Sequence, residues 1–476
     1  MFKIIQKYKQ EFILAVFICI YIAYFTTASF LRYDNFYTGR FDLGNMDQTV
    51  WNTINGRIFQ ASTDDGSIVS RLSAHADFIL ILLSPFYLLW SHPKMLLLVQ
   101  ALVLALGAIF VFLTAKEVTK NKNLALIFGS LFLMNPLVQF TNLYDFHAVT
   151  LATTFLLASF YFLIKQKYLL LTIFLLLSGI TKEQVWVITS IFGFPLLLKK
   201  EIKIKLLGAA IIFFSFAIFG YLVWFAIPQN LGKAHFALSY YSDFGDSPTQ
   251  IIKNVLFSPQ KIIATIVERS RLEYLKQIFM PLGFISLLSP IYLVFSIPDL
   301  LINLLSNNSQ LHQIYYQYSS TITPFIFISS IFGVKNLLKY FPKIKMYIGI
   351  YLILFTLLTA YLFGPLPGSR NPNIDMFTRP QEKKEIIEKF LVRIPARYSV
   401  AATNNLGSHI SHRQQISTIP IGIDNTDIVL FLLNDKFAQP SLKAQEEMVN
   451  NLKHNKHYVQ VFRKDDFIVF KKTDLL

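Results

Sequence analysis

The chain has 476 residues, of which 54% are hydrophobic and 15% charged, and its mean hydropathy is +0.47. Soluble domains carry roughly 25% charged residues, so this composition excludes an ordinary soluble domain and predicts a polytopic membrane protein. The net charge of +16 resides in short gaps beside apolar runs, which favours membrane topology and lipid headgroups over nucleic acid. Cys19 is the only cysteine, so no intrachain disulfide can form.

The gaps between apolar runs alternate in charge. Lysines cluster in one set of gaps, at 3–9, 116–122, 165–167, 199–205 and 335–345. The gaps between them hold carboxylates and histidines instead. Because cytoplasmic loops carry an excess of Lys and Arg, we predict that the lysine gaps are cytoplasmic. The acidic and histidine gaps then lie at the outer face, where chemistry is the first function to test.

The first apolar run, 12–31, is predicted to be a retained span that runs from the inside to the outside. A long polar outer loop, 32–77, follows it. The next run, 78–90, contains a proline and is short for a span, so we expect it at the outer interface or re-entering the membrane. The remaining crossings before the second polar loop are predicted at 93–115, 124–140, 148–164, 168–180, 185–198 and 206–227.

A second long outer loop is predicted at 228–277, and the run 279–305 comes directly after it. Three prolines in that run predict a broken or re-entrant hairpin. Arg269, Arg271 and Lys276 precede it and break the charge rule, so an extra crossing is the main alternative. The last two crossings are predicted at 319–334 and 346–363.

The composition becomes polar after Gly364. Short strand-like runs alternate with helical segments between 398 and 471, which predicts a small α/β domain. The parity of the crossings places this domain outside the cytoplasmic membrane. The predicted fold class is therefore mainly α, with a multi-span domain over 1–364 and a soluble extracytoplasmic α/β domain over 365–476.

The densest polar cluster lies in the first outer loop, around Asp42 and Asp47. A carboxylate at a membrane surface can take a proton from a sugar hydroxyl or bind a divalent cation. The alternative is a helix cap in a solvated loop. His75, at the end of this loop, is either a substrate ligand or an interfacial histidine.

Two very short outer turns carry further candidates. Asp145 and His147 suit metal ligands or an acid–base pair, against the alternative of a helix cap and a headgroup histidine. Lys182 and Glu183 form the second turn. A lysine on the outer side goes against the charge bias and predicts an anion such as a phosphate, whereas the alternative is a local ion pair of little strength.

Two groups near the second loop complete the candidates. Arg269, Arg271 and Lys276 are candidates for binding a lipid-linked phosphate or anionic headgroups. Gln317 lies among tyrosines before the next inward span, where an interfacial aromatic belt is the simpler interpretation.

Together these residues resemble the GT-C superfamily of integral-membrane glycosyltransferases. In that superfamily the first outer loop carries an essential acid, and a short later outer turn often carries a second. More narrowly, Phe41-Asp42-Leu43-Gly44, Tyr144-Asp145-Phe146-His147 and Lys182-Glu183 resemble an uncharacterised family of predicted prokaryotic membrane proteins, a domain of unknown function grouped with GT-C.

The resemblance implies transfer of a sugar from a polyprenyl-phosphate donor to a glycan or other cell-envelope acceptor, with a divalent cation in many members. Asp42 matches the first-loop acid, the proposed base, and Asp145 matches the second acid. His147 is not general to GT-C, so its role is open. The other expected partners are membrane lipids, and nucleic acid is not among them.

We therefore predict a glycosyltransferase at the outer face of the cytoplasmic membrane. The catalytic candidates are Asp42, Asp47 and Asp145, and the metal candidates are Asp145 and His147. The substrate-binding candidates are His75, Lys182, Glu183, Arg269, Arg271, Lys276 and Gln317. The alternatives are a transporter or flippase, which needs polar groups near the middle of the bilayer, and a non-catalytic membrane anchor for the α/β domain.

Overall fold

The computed structural model describes residues 7–232, 236–435 and 438–475. Residues 233–235 of the predicted second outer loop lie outside the described residues. The chain is mainly helical, and a small mixed β-sheet forms near its C-terminus. The fold class predicted from the sequence is confirmed.

Among the described residues, four helices are long and apolar enough to cross a membrane: Lys9–Asp34, Lys94–Thr119, Ile202–Leu231 and Pro342–Phe363. A fifth candidate is the pair Lys122–Met134 and Pro136–Leu143, which is bent by 41°. The bend has a local cause, because Pro136 has no backbone N–H to donate and the Asn135 side chain caps the second helix.

The other apolar helices are shorter: Ile79–Leu88, Ala148–Ile164, Tyr168–Gly179, Val185–Leu197 and Pro290–Leu305. At 1.5 Å per residue, the 12-residue helix Tyr168–Gly179 is about 18 Å long, well short of a hydrocarbon core of ~30 Å. The runs predicted at 168–180 and 185–198 form the helices Tyr168–Gly179 and Val185–Leu197, and whether each of them crosses the membrane stays a prediction. Charge parity demanded a crossing in each run, but parity carries no information about helix length.

The proline-rich run is broken, as its sequence predicts. It forms 3₁₀ turns at Met280–Leu282, Ile285–Leu288 and Pro290–Ser296 before the helix Ile297–Leu305. The remaining α-helices are Asn45–Ile54, Pro248–Phe257, Pro259–Ile266, Arg269–Phe279, Thr323–Tyr340, Asp375–Thr378, Lys384–Val392, Asn404–Gly407 and Leu442–Lys453.

Three of the lysine gaps meet at one end of the bundle. Lys116 and Lys122 both pair with Glu11, at 2.9 and 3.5 Å, and Lys165 pairs with Glu117 at 3.1 Å. The prediction that these gaps share one end is confirmed. The side of the membrane on which that end lies stays a prediction.

The C-terminal sheet contains five strands: β3 (Val400–Ala402), β4 (Ile416–Thr418), β5 (Ile428–Leu432), β6 (Tyr458–Lys464) and β7 (Phe467–Lys472). Their order is β4-β3-β5-β7-β6, with β3 parallel to β4 and β5, and β7 antiparallel to β5 and β6. β1 (Gln60–Ser62) and β2 (Ile68–Ser70) form a separate hairpin in the first loop.

Each face of the C-terminal sheet is covered by a helix. Ile387 and Leu391 of Lys384–Val392 pack on one face, and Val449 and Leu452 of Leu442–Lys453 pack on the other. Successive residues of β5 alternate between these two clusters, as the period of a strand requires. The sheet is buried on both faces for this reason.

The α/β region packs against the first long loop. Phe36 belongs to the same apolar cluster as the helix Lys384–Val392. The backbone N–H of Ile416 donates to Ser62 Oγ at 3.1 Å, and that of Thr418 donates to Asp64 O at 2.9 Å. The predicted boundary near 364 stays a prediction, but residues on its two sides share a core.

Candidate active site

Asp42 lies on a π-helical turn, Arg40–Gly44. The N–H of Gly44 donates to the carbonyl of Gly39 at 3.0 Å, five residues back, and the Asn45 side chain donates to Phe41 O at 3.0 Å. Single π turns occur frequently at functional sites. This turn leaves the Asp42 side chain 29% exposed, so a substrate can reach it.

Two side chains from the turn after Leu143 hold the Asp42 carboxylate. His147 Nε2 lies 2.9 Å from Oδ1, and the Tyr144 hydroxyl donates to Oδ2 at 3.1 Å. The rings of Tyr144 and His147 stack with centroids 5.4 Å apart. Asp42 is therefore held in one orientation by residues about a hundred positions away in sequence.

Asp145 also belongs to this cluster. Its Oδ2 accepts a hydrogen bond from the backbone N–H of Gly39 at 2.6 Å, and its Oδ1 lies 4.0 Å from Arg32 Nη2. The side chain is buried. The structure thus brings Asp42, Asp145 and His147 together, although they occur in two different turns.

The two carboxylates differ in proton affinity. Burial raises the pKa of Asp145 to about 6, and the charge of Asp42 adds to this effect, against Arg32 and the N–H of Gly39. Burial acts on Asp42 in the same direction, but the charge and hydrogen bond of His147 and the hydrogen bond of Tyr144 hold its pKa below the usual value. Paired groups whose pKa values are pushed apart are typical of acid–base sites.

Both ring nitrogens of His147 face oxygen acceptors. Nδ1 lies 2.9 Å from the carbonyl oxygen of Asp145, and Nε2 lies 2.9 Å from the ionised Asp42. His147 therefore connects the Asp42 carboxylate to the backbone of Asp145 through its two ring nitrogens.

Asp145 and His147 are also the residues that the sequence predicts as metal ligands. Across residues 7–232, 236–435 and 438–475 no group of three His, Cys, Asp or Glu side chains is arranged to hold one. The predicted divalent cation therefore stays a prediction.

A second cluster joins the end of the first loop to the Lys182 turn. His75 Nδ1 lies 3.0 Å from Glu183 Oε1, and the backbone N–H of Ala76 donates to Glu183 Oε2 at 3.0 Å. Burial raises the pKa of Glu183, but the contact with His75 and the charge of Lys182 hold it far below its usual range. Burial lowers the pKa of His75, and the charge of Lys182 adds to that effect.

Lys182 differs from its neighbour in having no ion pair within 4 Å among the residues that the structure describes. The Glu183 carboxylate is already occupied by His75 and Ala76. The alternative of a local Lys182–Glu183 pair is therefore not observed, and the Lys182 ammonium is available to an anion.

Arg71 acts on both clusters through its charge, and sequence reasoning missed it. It forms a buried bidentate pair with Asp77, at 3.1 Å from Nε to Oδ1 and 2.8 Å from Nη2 to Oδ2. Its charge lowers the pKa of both Asp42 and His75. An arginine in a predicted outer loop, six residues before an aspartate, was the available clue.

Asp47 is held in a different environment. Its side chain is fully buried and accepts hydrogen bonds from the hydroxyls of Tyr87 and Ser411, both at 2.5 Å, with His412 Nε2 at 3.2 Å. A carboxylate without exposed surface cannot touch a substrate. Asp47 is therefore inaccessible in this arrangement, and the catalytic role predicted for it stays a prediction.

The three cations near the second loop are not brought to the Asp42 cluster by any contact among the described residues. Arg269 is exposed, and Lys276 pairs with Glu273 at 3.3 Å. Arg271 is buried and donates to Leu304 O at 2.5 Å and to Ser306 O at 3.0 Å. These carbonyls end the helix Ile297–Leu305, so the donors of Arg271 serve as a helix C-cap and are not free for a phosphate.

Gln317 lies nearer to the site. It is buried in a 3₁₀ turn that packs against the helix Pro136–Leu143. Its Oε1 has no hydrogen-bond partner among the described residues. The neighbouring Tyr316 contacts the ring of Tyr144, with centroids 5.1 Å apart. Gln317 is therefore adjacent in sequence to Tyr316, which packs on the Asp42 partner Tyr144.

Comparison with known proteins relates the chain to solved structures and to a family of membrane proteins. No curated protein sequence matches the chain. Two structures of the Archaeoglobus fulgidus oligosaccharyltransferase are similar. The apo form has 12% identity and a TM-score of 0.42, and the likeness covers 86% of this chain and 64% of that one. The form tethered with an acceptor peptide containing the NVT sequon has 11% identity and a TM-score of 0.43, covering 96% and 73%.

The chain thus spans less than two thirds of the apo enzyme, and a likeness of this degree does not assign an activity. The family comparison is more extensive. The model described as "Predicted membrane protein (DUF2079)" matches residues 32–469, which include both clusters and most of the C-terminal sheet. The protein belongs to the DUF2079 family of predicted membrane proteins.

Proposed function

We propose that the protein is a membrane glycosyltransferase that moves a sugar from a polyprenyl-phosphate donor to a hydroxyl of an acceptor. One observation carries this proposal. The Asp42 carboxylate is ionised, part-exposed and held by His147 and Tyr144, beside a second carboxylate, Asp145, of higher pKa. Such an arrangement suits a reaction in which a hydroxyl loses its proton.

The reaction forms one bond and breaks one. The acceptor oxygen bonds to the anomeric carbon while the bond from that carbon to the phosphate oxygen breaks. The electron pair of the broken bond remains on the polyprenyl phosphate. The hydroxyl proton passes to Asp42, which accepts its hydrogen bond beforehand and so orients the attacking oxygen.

The low pKa of Asp42 makes it a weak base. Proton transfer is therefore late, when the acceptor oxygen has already gained positive character from bond formation. The negative charge of Asp42 also stabilises positive charge that develops on the sugar ring. His147 and Tyr144 keep the carboxylate in place throughout.

Lys182 suits the leaving phosphate. Its ammonium lacks an ion pair among the described residues, and the pair of His75 with Glu183 holds the turn on which it lies. A lysine beside a phosphate neutralises the charge that the departing group acquires. Arg71, whose charge lowers the pKa of Asp42 and of His75, adds positive charge to the same region.

The outer face of the cytoplasmic membrane is the proposed place of action. The lysine gaps that meet at Glu11 and Glu117 suit the cytoplasmic end. The Asp42 and Glu183 clusters come from the alternate gaps and suit the opposite end. The C-terminal α/β region, which contacts the Asp42 loop, is then extracytoplasmic and suits a cell-envelope acceptor.

The test uses purified protein in lipid nanodiscs with radiolabelled polyprenyl-phosphate sugars and cell-envelope glycans as acceptors. We expect labelled glycan and free polyprenyl phosphate to appear in equal amounts. Lys182→Ala removes a charge-assisted hydrogen bond, so the KM for the donor should rise about 10- to 100-fold.

Lys453→Ala, at an exposed lysine of the C-terminal helix, is the matched control and should leave the KM unchanged. Movement of a solute or lipid across the membrane of proteoliposomes, without consumption of the lipid-linked sugar, would identify a transporter and refute the proposal.

A further inference from the structure

We infer that Asn404 of the C-terminal α/β region is a positioning residue for the candidate active site, because its side chain holds the backbone that supports both Asp42 and Asp145. This inference rests on the proposed function for its kinetic test. Asn404 begins the short helix Asn404–Gly407, directly after β3 and far from both carboxylates in sequence.

The amide of Asn404 contacts the Asp42 turn at two points. Its Oδ1 accepts a hydrogen bond from the backbone N–H of Phe41, the residue before Asp42, at 3.1 Å. Its Nδ2 packs against Gly39, whose backbone N–H donates to Asp145 Oδ2 at 2.6 Å. One side chain therefore holds the supports of both carboxylates.

The contact with Asn404 explains the glycine at position 39. The backbone of Gly39 has φ −115° and ψ 159°, an extended conformation that any residue adopts. A Cβ at this position would lie 2.7 Å from Asn404 Nδ2 and 3.0 Å from Oδ1. The requirement at position 39 is therefore one of space for Asn404 and not of backbone freedom.

The segment that carries Asn404 is anchored independently of it. Thr38 and Ser408 share a buried hydrogen bond of 2.8 Å between their hydroxyls. The backbone of Ser408 also lies so close to Gly44 that a Cβ there would be 3.2 Å away. Removing the Asn404 amide therefore removes a local support without detaching the α/β region from the loop.

A double-mutant cycle tests the inference. Asn404→Ala and Gly39→Ala should each lower kcat about 10-fold, because small displacements of a catalytic group slow a reaction strongly, while the KM for the donor stays the same. The double variant should be no slower than Asn404→Ala, since the new methyl group at position 39 then meets no amide. Asn450→Ala, an exposed asparagine of the last helix, is the control.

A second measurement does not depend on activity. Hydrogen exchange of the Phe41 amide, resolved by mass spectrometry with electron-transfer fragmentation, should be at least about 10-fold faster in Asn404→Ala than in wild type, because its acceptor is lost. Gly39→Ala should accelerate the same amide by displacing the acceptor.

Multiplicative losses of kcat in the double variant, unchanged kcat in the single variants, or unchanged Phe41 exchange would each overturn the inference. If wild-type protein consumes no lipid-linked sugar, the proposed function fails, and Phe41 exchange alone still decides whether Asn404 holds this backbone.

Discussion

Asp42 and Asp47 lie five residues apart in the first loop, and each pairs with a distant histidine. The two pairs differ in which member is exposed. In the Asp42–His147 pair the carboxylate side chain is 29% exposed and the imidazole 8%. In the Asp47–His412 pair the carboxylate is fully buried and the imidazole is 29% exposed. The two pairs have the same functional groups at 2.9 and 3.2 Å, but opposite members can meet a substrate.

This difference separates an accessible carboxylate from one that is enclosed by internal donors. A buried carboxylate needs several donors to offset its lost hydration, and Asp47 has them in Tyr87, Ser411 and His412. Two of these donors come from the C-terminal region, so Asp47 joins that region to the loop. Asp42 has one face turned to solvent and can exchange a proton there.

The largest effect is expected from Asp42→Asn. This substitution keeps the size and polarity of the side chain but removes its proton affinity and charge. Because a general base typically contributes ~10²–10⁴-fold, sugar transfer should fall by about that factor. The melting temperature should change little, since the side chain is part-exposed.

Turnover of the radiolabelled donor by the purified variant measures this effect. Asp375→Asn, at an exposed aspartate of the C-terminal region, is the matched control and should behave as wild type. Normal turnover by Asp42→Asn would show that the carboxylate is not the base.

Asp47→Asn should have the opposite profile. The variant leaves His412 without its counter-charge and places amide hydrogens against one of the two hydroxyl donors. Breaking a buried ion pair by removing one partner destabilises a protein by ~3–5 kcal/mol. We expect thermal unfolding at a clearly lower temperature, while the folded fraction keeps its KM for the donor. Unchanged stability with lost turnover would exchange the roles assigned to the two aspartates.

The Asp145 carboxyl should produce an acid limb in the rate profile. Its pKa is raised to about 6 by burial and by the charge of Asp42. If the ionised form holds Gly39, transfer should fall about tenfold between pH 7 and pH 5, as one ionisation requires. Initial rates across this range measure the limb, and Asp145→Asn should abolish it.

Unfolding cannot produce the same limb through Asp145. The folded-state pKa of this group lies above its ordinary value of 3.8, so the folded protein binds the proton more tightly than the unfolded chain does. Stability from Asp145 is therefore fully present below about pH 4 and is lost as the pH rises through about 6. A melting temperature that falls together with the rate on acidification would point to another group.

The smallest effect is expected at His412. Burial lowers its pKa, but the charge and hydrogen bond of Asp47 outweigh this and raise it above 6.5. Its stabilising contribution is therefore complete below pH 6.5 and is lost as the pH rises through the higher folded-state value. Wild type should therefore lose stability over that window. Chemical denaturation of His412→Gln should show no such loss, and a parallel decline in both proteins would exclude this pair as its source.

The sequence alone determined the class of the protein and many of its elements. Apolar composition and run length predict membrane helices such as Lys94–Thr119, because burial in lipid requires an unbroken apolar surface. The alternation of short apolar strands with helical segments predicts the C-terminal α/β region, because this pattern is also local in the chain. The motifs around Asp42, Asp145 and Lys182 also identified the family, since they are contiguous in the chain.

Only the tertiary structure decided which of the candidate residues are accessible and which are enclosed. Whether Asp42 or Asp47 is exposed depends on Tyr87, His147, Ser411 and His412, which come from three distant segments. The support of the Asp42 turn by Asn404 spans 363 positions. Local pattern records which groups a chain carries, but burial and hydrogen bonding arise from distant segments that pack together, and these set both the proton affinity and the accessibility of each carboxylate.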